Sequence, residues 1–172
     1  RAVGFFSSTA LIEISKGITG LIRNGGKIQI VASPKLSEED FEAIKKGLEL
    51  RKVVENAVRR CVYEPTNLFE EERLNLLAIL IAEGKMDIKI ALTTNECQIG
   101  IYHEKMGLIY DSDKNIVAFS GSMNETTSAL SYNYEAIDVF CSWTKDQERL
   151  YAKETAFNAI WTFPGRGGDN KF

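Results

Sequence analysis

The chain contains one histidine, His103, two residues before a lysine in His103-Glu104-Lys105, and it goes on to Gly121-Ser122-Met123-Asn124 and Asn133-Tyr134-Glu135. Side chains i and i+2 of an extended segment project from one face, so His103 and Lys105 can reach the same phosphate. The imidazole would be a nucleophile. Gly121 permits close backbone approach, and Ser122 and Asn124 supply neutral donors. Asn124-Glu125-Thr126-Thr127 reads as a helix start whose free N–H groups favour an anion. Taken singly, Lys105 would be a solvated strand lysine, Asn124 a helix cap and Glu135 an exposed carboxylate. Their order and spacing together carry the reading of a phosphate pocket.

The elements that must position these groups follow from patterning. Gln98 to Tyr110 is rich in isoleucine and tyrosine and predicts a strand with a bend near Gly107. Asp111-Ser112-Asp113-Lys114-Asn115 predicts a turn. Ile116-Val117-Ala118-Phe119 then returns antiparallel and delivers Gly121-Ser122-Met123-Asn124 close to His103. Upstream, a short strand is expected near residues 2 to 6, then a helix capped by Ser8 or Thr9 with Leu11, Ile14, Ile18, Leu21 and Ile22 along one face. Lys27 to Ala32 reads as a buried strand. Ser37 with Asp40 three residues on looks like a capping box for a helix interrupted at Gly47 and resuming toward Arg60. Further expectations are a helix from Leu68 to Ala82, a strand from Met86 to Leu92, a long strand from Tyr134 to Trp143 and a helix from about Lys145 to Trp161. Alternating strands and helices followed by a meander indicate an α/β sandwich, a mixed β-sheet flanked by helices on both faces.

His103-Glu104-Lys105, Gly121-Ser122-Met123-Asn124 and Glu135 resemble the signature of the phospholipase D superfamily: H-x-K, an aspartate, G-S-x-N and a downstream glutamate. Gly4-Phe5-Phe6-Ser7-Ser8, Gly25-Gly26 before Lys27-Ile28-Gln29-Ile30-Val31, and Phe119-Ser120-Gly121-Ser122-Met123-Asn124-Glu125-Thr126 extend the likeness. They resemble the phospholipase-D-like nuclease domain attached to DEAD/DEAH-type helicases and restriction-type endonucleases. One position departs: the family aspartate follows the lysine after four intervening residues, where this chain has Tyr110, so Asp111 or Asp113 must stand for it.

The resemblance implies a phospholipase-D-like fold and a metal-independent phosphodiesterase. One neutral imidazole attacks phosphorus to give a phosphohistidine, and a second, protonated imidazole protonates the leaving oxygen. The motif occurs once in this chain, with one histidine, so the implied assembly is a homodimer with both copies of His103 at one shared site. Lys105 and Asn124 would clamp the non-bridging oxygens in place of a metal, with Ser122 adding a hydrogen bond. Glu135 would accept a ring N–H from a histidine and fix its tautomer. No metal and no cofactor is expected.

Composition bounds the rest. The 172 residues, 44% hydrophobic and 26% charged, suffice for a single domain over residues 1–172 with its own core. The arginine start and the glycine-rich Pro164-Gly165-Arg166-Gly167-Gly168-Asp169-Asn170 suggest a fragment of a longer chain. Cys61, Cys97 and Cys141 are odd in number, lack C-x-x-C spacing and form no zinc set with one histidine. They read as thiols in a reducing compartment. No run approaches the roughly 18 apolar residues of a membrane span, and a cytoplasmic protein is expected. The net charge of −3 does not advertise nucleic-acid binding. Lys45, Lys52 and Arg59 would nearly align on a continuous helix as a phosphate-tracking stripe, but a solvated helix face is the favoured reading and no site residue is placed there. A nuclease or nucleic-acid-processing domain of a helicase or restriction-type protein is favoured, with DNA ahead of RNA as substrate and no membrane partner. The alternatives are a phospholipid hydrolase or transferase, and a non-catalytic dimerisation or docking module.

Overall fold

A computed structural model of the chain describes residues 1–4, 15–34, 39, 50–62, 64–95, 98–123 and 132–163. A six-stranded mixed sheet organises them. Its strands in chain order are β1 (Ala2–Val3), β2 (Ile28–Ala32), β3 (Met86–Ile90), β6 (Met106–Tyr110), β7 (Ile116–Gly121) and β8 (Ile137–Cys141). In space the order is β3-β2-β1-β6-β7-β8. The first three are parallel, and β1 turns the sheet antiparallel by pairing Ala2 with Met106. β4 (Leu92–Asn95) and β5 (Gln98–Ile101) form a separate two-stranded ribbon.

The helices follow from apolar spacing. α1 (Ser15–Arg23) buries Ile18, and α3 (Leu68–Ala82) buries Leu77 and Leu80. These side chains pack with Ile30, Ala32 and Met86 on one face of the sheet. The alternate residues Ala2, Val31 and Met106 point to the opposite face, where Phe157 of α4 (Gln147–Thr162) meets them. Ile30, Val31 and Ala32 are consequently all buried, as a central parallel strand covered on both sides must be. Helices therefore cover both faces of a mixed sheet, as the sequence predicts. Fully burying an aliphatic or aromatic side chain such as Leu150 or Phe157 contributes roughly 1.5–3 kcal/mol, so α4 is anchored mainly by these contacts. Tyr110 Oη also donates to Glu154 at 2.8 Å, tying β6 to α4.

Three strands differ from expectation, and the one expected from Met86 to Leu92 ends at Ile90, with Leu92 opening β4 of the ribbon. The strand expected from Gln98 to Tyr110 is divided: β5 ends at Ile101, residues 102–105 are irregular, and β6 begins at Met106. The break falls at the chemistry-bearing residues because the chain there leaves the small ribbon and enters the main sheet. Gly107 lies within β6, and a Cβ on it would meet the Phe119 ring at 2.5 Å, so this glycine makes room for an aromatic ring. β8 is shorter than the expected Tyr134–Trp143 strand because Tyr134 to Ala136 carry the site's polar contacts before pairing begins.

α2 (Leu50–Cys61) places Lys52, Arg59 and Arg60 on an exposed surface. Lys45, the helix cap at Ser8 or Thr9, the capping box at Ser37 and the break at Gly47 lie outside the described residues.

Candidate active site

Strand register alone brings the site together. Met106 opens β6 beside the carboxyl end of β1, the antiparallel β7 ends at Gly121 on the same edge, and β8 starts there at Ile137. His103 and Lys105 before β6, Ser122 after β7 and Glu135 before β8 thus converge on one end of the sheet. In open α/β sheets this end, outside the carboxyl termini of the parallel strands, is where ligands bind.

Lys105 Nζ lies 2.7 Å from His103 Nε2. An ammonium has no lone pair to accept a hydrogen bond, so Lys105 donates and Nε2 is the unprotonated ring nitrogen. In this arrangement the Nε2 lone pair accepts from Lys105, and it becomes available when Lys105 turns to another acceptor. Lys105 Nζ also approaches the His103 carbonyl oxygen at 3.4 Å. Partial burial lowers the Lys105 pKa from its ordinary value, against the opposing charges of Glu135 and Glu104. Glu104 also pairs with Lys153 of α4 at 3.8 Å, a surface contact of little energetic weight.

On the facing strands, the Gly121 N–H donates to the Lys105 carbonyl at 3.1 Å and the Ser122 N–H to the Ala136 carbonyl at 3.0 Å. The Ser122 hydroxyl donates to Glu135 Oε2 and accepts the Ala136 N–H at 3.1 Å. Asn133 Nδ2 donates to the other carboxylate oxygen of Glu135 at 3.3 Å. Ser122 therefore holds the glutamate in place. Asn133, which the sequence reading passed over as a site residue, shares that task; its position two residues before Glu135 was the available signal. Asn124 lies outside the described residues.

Of the two aspartates considered for the signature, Asp111 makes the structural hydrogen bonds. Its Oδ1 accepts from the backbone of Asp113 and Asn115 at 2.9 and 2.8 Å, and Oδ2 accepts from the Asn115 side chain at 2.8 Å. The Asn115 side-chain bond is the largest of the contacts that lower its pKa. The hairpin turn, and with it the register of β6 against β7, is pinned by this residue.

Among the described residues no three histidine, cysteine, aspartate or glutamate side chains gather into a group able to hold a metal ion. Cys61 and Cys141 are free thiols, and Cys97 lies outside the described residues. No described helix is long and apolar enough to cross a membrane.

The carboxyl edge of the sheet thus gathers His103, Lys105, Ser122 and Glu135. The chain belongs to the phospholipase-D-like family: the family model described as "Cardiolipin synthase, PLD-like domain" matches residues 4–161. Among solved structures it is similar to NucT from Helicobacter pylori, with 17% identity and a TM-score of 0.49 over 94% of this chain and 77% of that one. No curated protein matches the chain.

Proposed function

We propose that the protein is a metal-independent phosphodiesterase that cleaves nucleic acid, DNA ahead of RNA, through a phosphohistidine at a site shared by two copies of the chain. The observation that carries this reading is the Lys105–His103 contact, which leaves Nε2 unprotonated beside a cation. The Nε2 lone pair attacks phosphorus, and the leaving oxygen takes its proton from the imidazolium of a second copy of His103. Water then enters by the reverse route. Lys105 neutralises the charge of the non-bridging oxygens and Asn124 donates a hydrogen bond to them. Glu135, held by Ser122 and Asn133, accepts a ring N–H in this reading and favours the imidazolium when it serves as acid. The sequence likeness to helicase-linked and restriction-type domains supports a nucleic-acid substrate and a place in a longer protein with a motor or restriction domain.

A second reading, phosphatidyl transfer or hydrolysis, is favoured by the description of the matching family model, which names a phospholipid-forming enzyme. One experiment separates them. Labelled single- and double-stranded DNA and RNA, and phospholipid vesicles, are each incubated with wild-type protein and His103→Ala in excess EDTA. Nucleic-acid cleavage that His103→Ala abolishes is expected. Turnover of phospholipid with no nucleic-acid cleavage would overturn the nuclease reading in favour of the second.

A further inference from the structure

The site segment that follows β7 is held from two sides. On one, Ser122 bonds to Glu135 and Ala136 just before β8. On the other, Arg1 reaches it from beside β1. Ala2 pairs with Met106, so antiparallel register sets Arg1 level with Gly107, which pairs in turn with Phe119. Gly107 has no side chain to stand between them, and the Arg1 guanidinium lies 4.7 Å from the centre of the Phe119 ring, a cation–π contact. Its Nη2 donates to the Met123 carbonyl at 3.1 Å in a partly buried setting. The β7 ladder ends at Gly121, so this carbonyl depends on a side chain or water for its partner. A charged donor gives it a strong one.

We propose that Arg1 is a positioning residue: by holding the Met123 carbonyl it sets how Asn124, the next residue in the chain, is presented to the phosphate. This rests on the phosphodiesterase reading above, in which Asn124 donates to the non-bridging oxygens. A peptide unit is planar, so fixing the Met123 carbonyl fixes the plane of the bond that leads into Asn124. A donor aimed at developing charge is effective when its position is set before the reaction begins. The Arg1 guanidinium faces the Phe119 ring and the Met123 carbonyl, so its effect reaches the diester through Asn124.

The test compares the whole chain with Arg1→Met, Arg1→Lys, Asn124→Ala and the double variant of Arg1→Met with Asn124→Ala. Turnover of bis(4-nitrophenyl) phosphate in EDTA gives kcat and KM, titration calorimetry gives the affinity for inorganic phosphate, and thermal melts follow folding. Arg1→Met should lower kcat and phosphate affinity by roughly 2- to 150-fold. Arg1→Lys, which keeps a cation and a donor, should recover much of that loss. In the Asn124→Ala background Arg1→Met should cost almost nothing further. An equal loss in both backgrounds overturns the proposal and assigns Arg1 to general support of the sheet. Arg1→Met or Asn124→Ala without effect overturns it as well. Wild type that shows this coupling in phosphate affinity but turns over no diester overturns the phosphodiesterase reading and upholds the positioning role. Wild type that neither binds phosphate nor turns over the diester overturns both.

Discussion

Gly121 runs so close to the start of β8 that a Cβ at this position would collide with the Ala136 carbonyl and come within 2.8 Å of Ile137 Cα. Both obstacles are backbone, so only strand separation could accommodate them. Gly121→Ala is expected to destabilise the fold by about 1–3 kcal/mol, the usual cost of overpacking. Calorimetry should show this as a fall in Tm of roughly 2–12 °C. Activity should fall further than stability, because the same separation pulls Ser122 from Ala136 and releases Glu135.

A shared site predicts a particular outcome on mixing. When wild type and His103→Ala are unfolded together and refolded, each mixed dimer holds one histidine and cannot both attack and protonate. Activity should follow the square of the wild-type fraction, whereas independent sites would give a linear dependence. His103→Ala alone should lose roughly 10³-fold or more in kcat.

The lowered pKa of Lys105 sets an alkaline limit. A lysine loses its charge as pH rises through its pKa, so a lowered value moves that loss to lower pH. The descending limb of kcat/KM should fall below the ordinary lysine range of about 10.4. Lys105→Arg, whose charge persists, should retain some activity and move the limb upward. An unchanged limb in the arginine variant would assign it to another group.

Ser122 and Glu135 should behave as one unit, because the serine hydroxyl bonds to the carboxylate. Ser122→Ala and Glu135→Gln should each reduce kcat, and the double variant should lose less than the two effects combined. A double-mutant cycle is expected to return about 0.5–3 kcal/mol of coupling. Additivity would mean that the serine acts on the phosphate independently.

Tyr102 buries its hydroxyl without a hydrogen-bond partner among the described residues. Burial, with a smaller contribution from the charge of Glu104, pushes its pKa to about 12; Tyr110 is also raised to about 12, by burial and by its bond to Glu154. Both groups keep their proton in the folded chain above the ordinary value of about 10. The stability this represents is fully present below about pH 10 and is lost as pH rises through about 12. Tyrosinate absorbance should show two late groups, and Tyr102→Phe should remove one. Because that substitution deletes an unsatisfied buried hydroxyl, Tm should hold or rise.

The sequence made α3 legible from Leu68 to Ala82 and placed β7 and α4 within two residues at each end. α3 opens at a capping asparagine, Asn67, whose side chain accepts the Glu70 N–H, a start signal visible in the sequence. The break at residues 102–105 escaped detection because Ile99, Ile101 and Tyr102 have strand-forming side chains throughout, and nothing local marks the passage from one sheet to another. His103 and Lys105 meet as their spacing predicts, although by contact across an irregular segment. The Ser122–Glu135 contact was hidden for a different reason. Whether a hydroxyl faces phosphate or carboxylate depends on how close β7 comes to β8, and that distance is fixed by Gly121 and Ala136 together.

β1 contributes two residues, yet it joins the parallel half of the sheet to the antiparallel half through the pairing of Ala2 with Met106. Closing a loop on the order of a hundred residues costs roughly 4 kcal/mol in chain entropy, against about 1.5 kcal/mol for the five-residue turn between β6 and β7. The hairpin can therefore form early, carrying Ser122 with it. The edge beside His103 is completed when the start of the chain docks. The difference in closure cost predicts that the hairpin orders first and that the site is completed in the later step that joins the two halves of the sheet.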